Sequence, residues 1–145
     1  MRRIARSAIV ETSAEAFYAL VEDIESYPRF LPWCAGASVL SRAPGKTVAK
    51  LTLRLKGVRQ SFTTENLNVP GQSIEMRLLE GPFRRFSAEW RFGALGERAC
   101  KAEFSLAFEF SSRILAVTLG PLFEGMADET VEAFVRRARA GETAQ

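Results

Sequence analysis

The chain has 145 residues, of which 47% are hydrophobic and 26% charged, and its net charge is +3. This length can bury one hydrophobic core and the composition excludes a disordered chain, so we expect a single domain spanning residues 1–145. The sequence contains no histidine, which excludes serine–histidine and cysteine–histidine catalysis and histidine-ligated zinc, and we predict neither catalytic nor metal-binding residues.

The start of the chain predicts neither a secretory signal nor a membrane span. Its short apolar run is interrupted by Arg6 and Ser7, and no later segment approaches the roughly 20 apolar residues that a span requires. Cys34 and Cys100 match neither a metal-binding nor a redox spacing, so we expect reduced, buried thiols. The expected location is the cytoplasm, with peripheral attachment to the inner face of the membrane as the alternative.

The first elements are a strand, at residues 2–11, and a helix that Thr12 or Ser13 can cap. Apolar side chains recur at helical spacing from Phe17 to Ile24. Because the residue before a proline avoids the helical conformation, the helix should end before Tyr27.

The next segment, IESYPRFLPWC at residues 24–34, is unusually apolar for a loop. Loops normally run over the surface, since buried backbone groups need hydrogen-bond partners. Here Tyr27, Phe30 and Trp33 are interleaved with Pro28 and Pro32. We therefore predict that residues 27–33 form a proline-stiffened lip over an internal cavity.

Six further strands are predicted, and apolar residues that alternate with polar ones give the bounds of five of them. The Pro-Gly turns APGK and VPGQ delimit strands at 47–56 and 58–67, because proline presets a negative φ and glycine accepts a positive one. Another strand at 74–78 is followed by Gly81-Pro82. Strands at 86–92 and 100–110 are joined by the loop GALGER, which predicts a hairpin.

A long amphipathic helix closes the chain. Apolar residues from Leu119 to Ala138 recur at i, i+3 and i+4 over about five turns. Gly120-Pro121 should kink this helix or mark its start, and we expect a kink. Strands separated from helices indicate an α+β fold, in which a curved antiparallel sheet of about seven strands surrounds the long C-terminal helix and two short helices follow the first strand.

The concave face of such a sheet is larger than a helix of roughly 10–12 Å diameter can cover, which predicts an apolar cavity. Side chains such as Phe104, Phe108 and Phe134 are expected to be ordinary core. Candidate hydrogen-bond donors for a ligand are Tyr27, Gln60, Thr64 and Asn66. The candidate ligand-binding residues are Tyr27, Phe30, Trp33, Phe62, Phe83, Phe86, Trp90, Phe123 and Met126.

No acidic residue lies between Glu25 and Glu65. Strand alternation places much of the positive charge of this acid-free block on the solvent side of the sheet, and the candidate basic interaction face consists of Lys50, Arg54, Lys56 and Arg59. A plain solvated surface, ribosomal RNA and an anionic membrane surface all fit a field of one sign. No RNA-binding module is recognisable, and neither sequence-specific RNA recognition nor a DNA partner is expected.

Two motifs, DIESYPRFLPWC (23–34) and EGPFRRFSAEWRF (80–92), resemble the coenzyme Q-binding branch of the START-like polyketide cyclase and lipid transport superfamily. This branch also includes the bacterial ribosome association toxins, and the resemblance covers nearly the whole chain. It implies a helix-grip fold of the START/Bet v 1 type, an apolar tunnel, and binding rather than catalysis. The matching motif positions are Tyr27, Pro28, Phe30, Pro32, Cys34, Gly81, Pro82, Phe83 and Trp90.

Three functional hypotheses follow from the residues and the resemblance. The first is a non-enzymatic protein that binds ubiquinone or a related isoprenoid lipid and supports respiration, with no catalytic cofactor. The alternative is a ribosome association toxin that binds the large ribosomal subunit through the basic face and blocks subunit joining. The third, a polyketide cyclase-like enzyme, lacks a recognisable acid–base pair.

Overall fold

The computed structural model describes the backbone of residues 2–143 and the side chains of residues 2–140, so the predicted domain limits at 1 and 145 lie outside the described residues. The chain begins with β1 (Arg2–Val10), α1 (Ala14–Glu22) and a 3₁₀ helix (Ile24–Arg29). The remaining elements are β2 (Cys34–Ala43), β3 (Lys46–Leu55), β4 (Val58–Val69), β5 (Ser73–Glu80), β6 (Phe83–Ala94), β7 (Cys100–Phe110) and α2 (Arg113–Thr143).

The seven strands form one sheet in the order β1-β7-β6-β5-β4-β3-β2. All neighbouring strands are antiparallel. From β2 to β7 each strand pairs with the next one in sequence, whereas β1 pairs with β7 and becomes the far edge. The predicted fold, a curved antiparallel sheet around a long C-terminal helix, is confirmed.

The core lies between the inner face of the sheet and α2. Alternate residues of β7, from Cys100 to Phe110, are buried, as a strand with one solvated face requires. The Phe123 side chain of α2 is fully buried, and its ring centroid lies 4.5 Å from that of Phe108 and 5.5 Å from that of Phe83. Aromatic packing therefore fixes α2 on β6 and β7.

Two ion pairs join α2 to the edge strand β1. A guanidinium nitrogen of Arg2 lies 2.9 Å from a carboxylate oxygen of Glu124, and Arg6 donates a hydrogen bond to Asp128. Arginines on an edge strand also discourage pairing with another sheet. These contacts help to hold the helix over one side of the sheet.

The tight turns follow the predicted chemistry. Gly45 and Gly71, which follow prolines, have φ of 75° and 72°. The β3–β4 hairpin turns through Lys56 and Gly57, with φ of 48° and 79°. Two consecutive positive φ angles are typical of a two-residue type I′ turn, whose twist matches that of the flanking strands.

The helices agree with the predictions only in part. The α-helix α1 ends at Glu22, before Tyr27 as predicted, and the 3₁₀ helix that follows is the second short helix, although it extends through Pro28 into the segment predicted as a loop. The side chain of Ser13 caps α1, since its Oγ accepts a hydrogen bond from the Ala16 N–H at 3.1 Å. Helix α2 is continuous through Pro121, which excludes the alternative that Gly120-Pro121 marks its start.

Gly81, in the β5–β6 connection, approaches β4 closely enough to exclude a side chain. A Cβ at this position would lie 2.5 Å from the Cβ of Phe62. Gly81→Ala should therefore lower the free energy of unfolding by about 1–3 kcal/mol, because the clash displaces packed core atoms. Gly125→Ala is the matched control, since nothing lies within 4 Å of its would-be Cβ. Chemical denaturation measures both free energies of unfolding. Equal values for Gly81→Ala and Gly125→Ala would contradict this prediction.

Candidate functional site

A small apolar cavity lies between the inner face of the sheet and α2. Its volume is about 50 Å³, far below the roughly 300–1,000 Å³ of typical ligand sites. The predicted apolar cavity is therefore present, but side chains fill most of the surplus space in this conformation. The cavity is lined by Tyr27, Leu31, Trp33, Leu51, Phe62, Met76, Phe86, Ala88, Trp90, Phe104, Leu106, Phe123, Met126, Thr130 and Phe134.

Two of the predicted lining residues lie outside the cavity wall. Phe30 is half-buried and packs against the ring of Phe134 at 5.1 Å, while the Arg137 guanidinium lies 5.1 Å from the Phe30 ring centroid. Phe83 stacks on Phe110 at 4.8 Å. It precedes a register shift in β6, so both Phe83 and Phe86, three residues apart, face the inner side of the sheet.

The other predicted lining residues do surround the cavity, and their role in binding stays a prediction. These are Tyr27, Trp33, Phe62, Phe86, Trp90, Phe123 and Met126. Phe104 and Phe134, predicted as ordinary core, also belong to the wall. Alternation predicts that Met76 faces the inner side of the sheet, but it does not show that this side chain lines the cavity. Thr130 was not predicted as a lining residue, because a single polar residue on the apolar face of α2 does not indicate a cavity.

The lip is fixed to both helices by the polar atoms of its own rings. The Tyr27 hydroxyl donates a hydrogen bond to the Val21 carbonyl. The Trp33 indole N–H donates to Thr130 Oγ1 at 2.9 Å, and that hydroxyl donates in turn to the Met126 carbonyl at 2.7 Å. Both rings line the cavity, yet their donors already have internal partners, so neither donor is free for a ligand in this conformation.

The remaining candidate donors do not reach the cavity. Gln60, Thr64 and Asn66 share the inward face of β4 with Phe62. The Thr64 hydroxyl donates to Asn66 Oδ1 at 2.8 Å, so these two side chains satisfy each other. None of the three belongs to the cavity wall, and their assignment as ligand donors is wrong for this conformation.

Both cysteines are buried and unbonded to each other, as the sequence predicts. Burial raises the pKa of the Cys34 thiol to about 11, although a backbone hydrogen bond at Gly36 opposes the shift. Burial also raises the pKa of Cys100. Because the thiolate is the reactive form, neither side chain is a nucleophile near neutral pH.

The raised pKa of Cys34 makes stability fall in alkaline solution. The folded protein keeps the thiol protonated up to about pH 11, whereas the unfolded chain ionises it above its ordinary value of 9.0. Protons are then bound more strongly in the folded state, so the free energy of unfolding decreases between these pH values, by at most about 1.4 kcal/mol per pH unit. Chemical denaturation at several pH values should show a shallower decline for Cys34→Ala. An identical decline would contradict the prediction.

The basic face, defined by Lys50, Arg54, Lys56 and Arg59, is exposed as predicted. Arg54 lies directly opposite Arg59 in the β3–β4 register. Among residues 2–140, none of these four cations has an acidic partner within ion-pair distance. The positive charge is therefore concentrated at the outer side of one hairpin.

Two other cations of the acid-free block find partners outside it. The Lys46 ammonium lies 3.2 Å from a carboxylate oxygen of Glu65, and Arg42 pairs with Glu22 of α1. The fold therefore neutralises part of the block that is uniformly positive in sequence. The basic face remains unneutralised.

The lip and the basic face adjoin each other. The backbone N–H of Arg54 donates a hydrogen bond to the Trp33 carbonyl at 2.8 Å. The same residue of the lip thus contacts the cavity through its ring and the basic hairpin through its backbone.

Two classes of feature are absent from the part of the chain that the structure describes. Its side chains form no group of three or more His, Cys, Asp or Glu residues that could hold a metal ion. Its helices include none that is both long and apolar enough to cross a membrane.

A seven-stranded antiparallel sheet around a long C-terminal helix, with an apolar interior, defines a helix-grip protein. The chain belongs to the polyketide cyclase / dehydrase and lipid transport family, whose sequence profile matches residues 10–135. The superfamily suggested by the two motifs is therefore confirmed.

Individual relatives carry different names. The chain is 44% identical over 136 residues to the ribosome association toxin RatA of Pseudomonas aeruginosa, covering 94% of both proteins. It is 29% identical to the mitochondrial coenzyme Q-binding protein COQ10 homolog B of Xenopus laevis, covering 91% of this chain and 56% of that protein. The crystal structure of the Zhui aromatase/cyclase from Streptomyces sp. R1128 superposes with a TM-score of 0.86 at 18% identity, over 95% of this chain and 93% of that one. This last likeness concerns the fold alone.

Proposed function

We propose that this chain is a non-enzymatic protein that associates with the large ribosomal subunit through its basic face and hinders subunit joining. The observation that carries the proposal is the exposed pair Arg54–Arg59, flanked by Lys50 and Lys56, without an acidic partner. Relatives that match nearly the whole chain and are named ribosome association toxins support it. This reverses the order of the first two hypotheses from the sequence.

The electrostatics of the hairpin favour a polyanionic partner. Like charges directly opposite each other destabilise a sheet, and a phosphate backbone would relieve the repulsion between Arg54 and Arg59. Binding would also release the counterions condensed on the RNA, so the affinity should fall steeply with salt.

Sedimentation with purified ribosomal subunits tests the association. The protein should co-sediment with large subunits at about 50 mM salt and dissociate largely by about 200 mM. It should also reduce the fraction of joined ribosomes when it is added before the subunits are mixed. Absence of co-sedimentation at both salt concentrations would overturn the proposal.

A second candidate function is the binding of an apolar ligand such as ubiquinone. The wall of the cavity favours an apolar ligand because it is almost wholly apolar. It also contains Met76 and Met126, whose flexible side chains can adapt to the shape of a ligand. The name of the Xenopus relative supports the same ligand class. A quinone would nevertheless require the cavity of about 50 Å³ to expand several-fold.

Organic extraction of protein purified from its own cells, followed by mass spectrometry, tests this second candidate. A quinone or isoprenoid recovered in near-stoichiometric amount would support it. Repeated recovery of lipid-free protein would count against it, without affecting the ribosomal proposal.

A further inference from the structure

The outer face of β2, β3 and β4 is arranged in cross-strand rows next to the hairpin turn. Hydroxyl-bearing and small residues separate the cations, and the hydroxyls of Thr52 and Ser61 form a hydrogen bond of 3.0 Å with each other. The surface between the cations is therefore low and polar. Its rows are Arg54–Arg59, Gly36–Thr52–Ser61 and Ser38–Lys50–Thr63.

The cations stand at two separated positions on this surface. Arg54 and Arg59 are direct cross-strand neighbours, whereas Lys50 lies four residues back along β3, about 13 Å away at the usual rise per residue. With their side chains extended outward from the sheet, the two positions match two phosphates better than one. The spacing fits a partner whose phosphates recur over an extended surface.

The surface offers no ring on which a base could stack. Of the aromatic residues of the lip, Tyr27 and Trp33 are buried. Phe30 is half-buried, and its ring is already in contact with Phe134 and the Arg137 guanidinium. Among the described residues, the exposed large hydrophobic side chains are all aliphatic: Ile9, Leu40, Val69, Leu79, Leu95, Ile114 and Val117. Single-stranded RNA is bound mainly by stacking its bases on aromatic side chains. This hairpin therefore lacks what recognition of a single strand requires.

We infer that the basic face binds double-helical RNA through its phosphates and 2′-hydroxyls, without reading the base sequence. An RNA duplex hides its bases and exposes phosphates and 2′-hydroxyls across a wide, shallow minor groove. Arg54, Arg59 and Lys50 neutralise phosphates, and the hydroxyls of Thr52 and Ser61 face the sugars. The inference rests on the proposed function and specifies which form of RNA the ribosome presents to this face.

Fluorescence anisotropy with defined RNAs tests the inference. The purified chain should bind an RNA duplex at least about tenfold more tightly than a single strand with the same number of phosphates, and should bind duplexes of different sequence equally. Log affinity falls with log salt, and the double variant R54S/R59S should make this negative slope shallower by about two.

The double variant R77S/R91S is the matched control. These arginines lie on the same outer face of the sheet, but each pairs with a neighbouring carboxylate: Arg77 with Glu75 at 3.2 Å and Arg91 with Glu89 at 2.9 Å. The control should keep the wild-type salt slope. Thermal melts should show that R54S/R59S is folded, since it removes a repulsive pair.

Equal or tighter binding of the single strand would overturn the inference, as would an unchanged salt slope in R54S/R59S. Tighter binding to anionic phospholipid vesicles than to the RNA duplex would also overturn it. Ribosome co-sedimentation that persisted alongside any of these results would leave the proposed function standing. Duplex binding without ribosome co-sedimentation would support the inference about RNA form and remove the proposed function, so the two failures are distinguishable.

Discussion

Replacement of Phe134 by alanine should lower the free energy of unfolding by about 3–5 kcal/mol, the usual range for removing a buried phenyl ring. Phe134 is only 1% exposed and joins α2 to the lip and the sheet. Its ring centroid lies 5.4 Å from both Tyr27 and Trp90. The substitution removes contacts to two elements at once, so little local collapse can compensate for the lost ring.

The same substitution should also change what the cavity can hold. Phe134 lines the existing cavity of about 50 Å³, so its removal adds dry, apolar volume to that space. Engineered apolar cavities of this kind bind benzene or xenon. Folded Phe134→Ala should therefore gain thermal stability in the presence of benzene, whereas the wild-type protein should not.

Phe30→Ala is the control for both effects. Phe30 contacts the same Phe134 ring, but it is half-buried and lies outside the cavity wall. Its removal should destabilise less and create no benzene site. Chemical denaturation and melting curves with and without benzene provide the measurements. Equal stability of the two variants, or a benzene effect in Phe30→Ala, would contradict the expected role of Phe134.

The fold could be predicted because its signals are local. Alternation in β7 determines which side chains enter the core, and the Pro-Gly turns at Gly45 and Gly71 determine where strands reverse. Because the connections are short, each strand from β2 to β7 pairs with the next one in sequence in antiparallel orientation. A second short helix was predicted, but its position across Pro28 was not, because the preference of a residue before proline is weak beside the packing of Tyr27 against α2.

The free volume of the cavity could not be predicted from the same patterns. Alternation indicates that Phe62 and Trp90 face inward, but the remaining space depends on how closely α2 approaches and which rotamers the rings adopt. The hydrogen bond from Trp33 to Thr130 is equally non-local, joining residues 97 positions apart. Phe83 is buried as well, but its ring stacks on Phe110 and does not line the cavity, a tertiary placement that the motif does not reveal.

The basic face was only partly predictable, for a related reason. Period-two alternation places Lys50 and Arg54 outside, and a two-residue turn at Lys56-Gly57 would have indicated that Arg54 opposes Arg59. The charge of Lys46, by contrast, is neutralised by an ion pair with Glu65 of β4, which the alternation of β3 alone does not predict. Charge runs in sequence therefore overstate the positive surface wherever a neighbouring strand contributes acids.

Arg54→Glu should raise the free energy of unfolding and weaken association with the ribosome, two changes that ordinarily do not occur together. In the wild-type sheet Arg54 opposes Arg59, and the substitution converts a repulsive cross-strand pair into an attractive one, worth about 0.5–1 kcal/mol. The charge of the basic face simultaneously falls by two. Affinity for the large subunit should drop at least about tenfold, and the salt dependence should become shallower.

Gain of stability with loss of binding separates the basic face from general effects of misfolding. The double variant R54E/R59E restores like charges across the same pair, so it should lose the added stability and still fail to bind. Arg77→Glu, on the same outer face, should do the opposite: it replaces an ion pair with Glu75 by a repulsion, which destabilises the sheet but leaves ribosome binding intact. If Arg54→Glu co-sediments with the ribosome as well as the wild-type protein does, the ribosome contacts another surface. Misfolding could not explain that result, because the variant is expected to be more stable than the wild type.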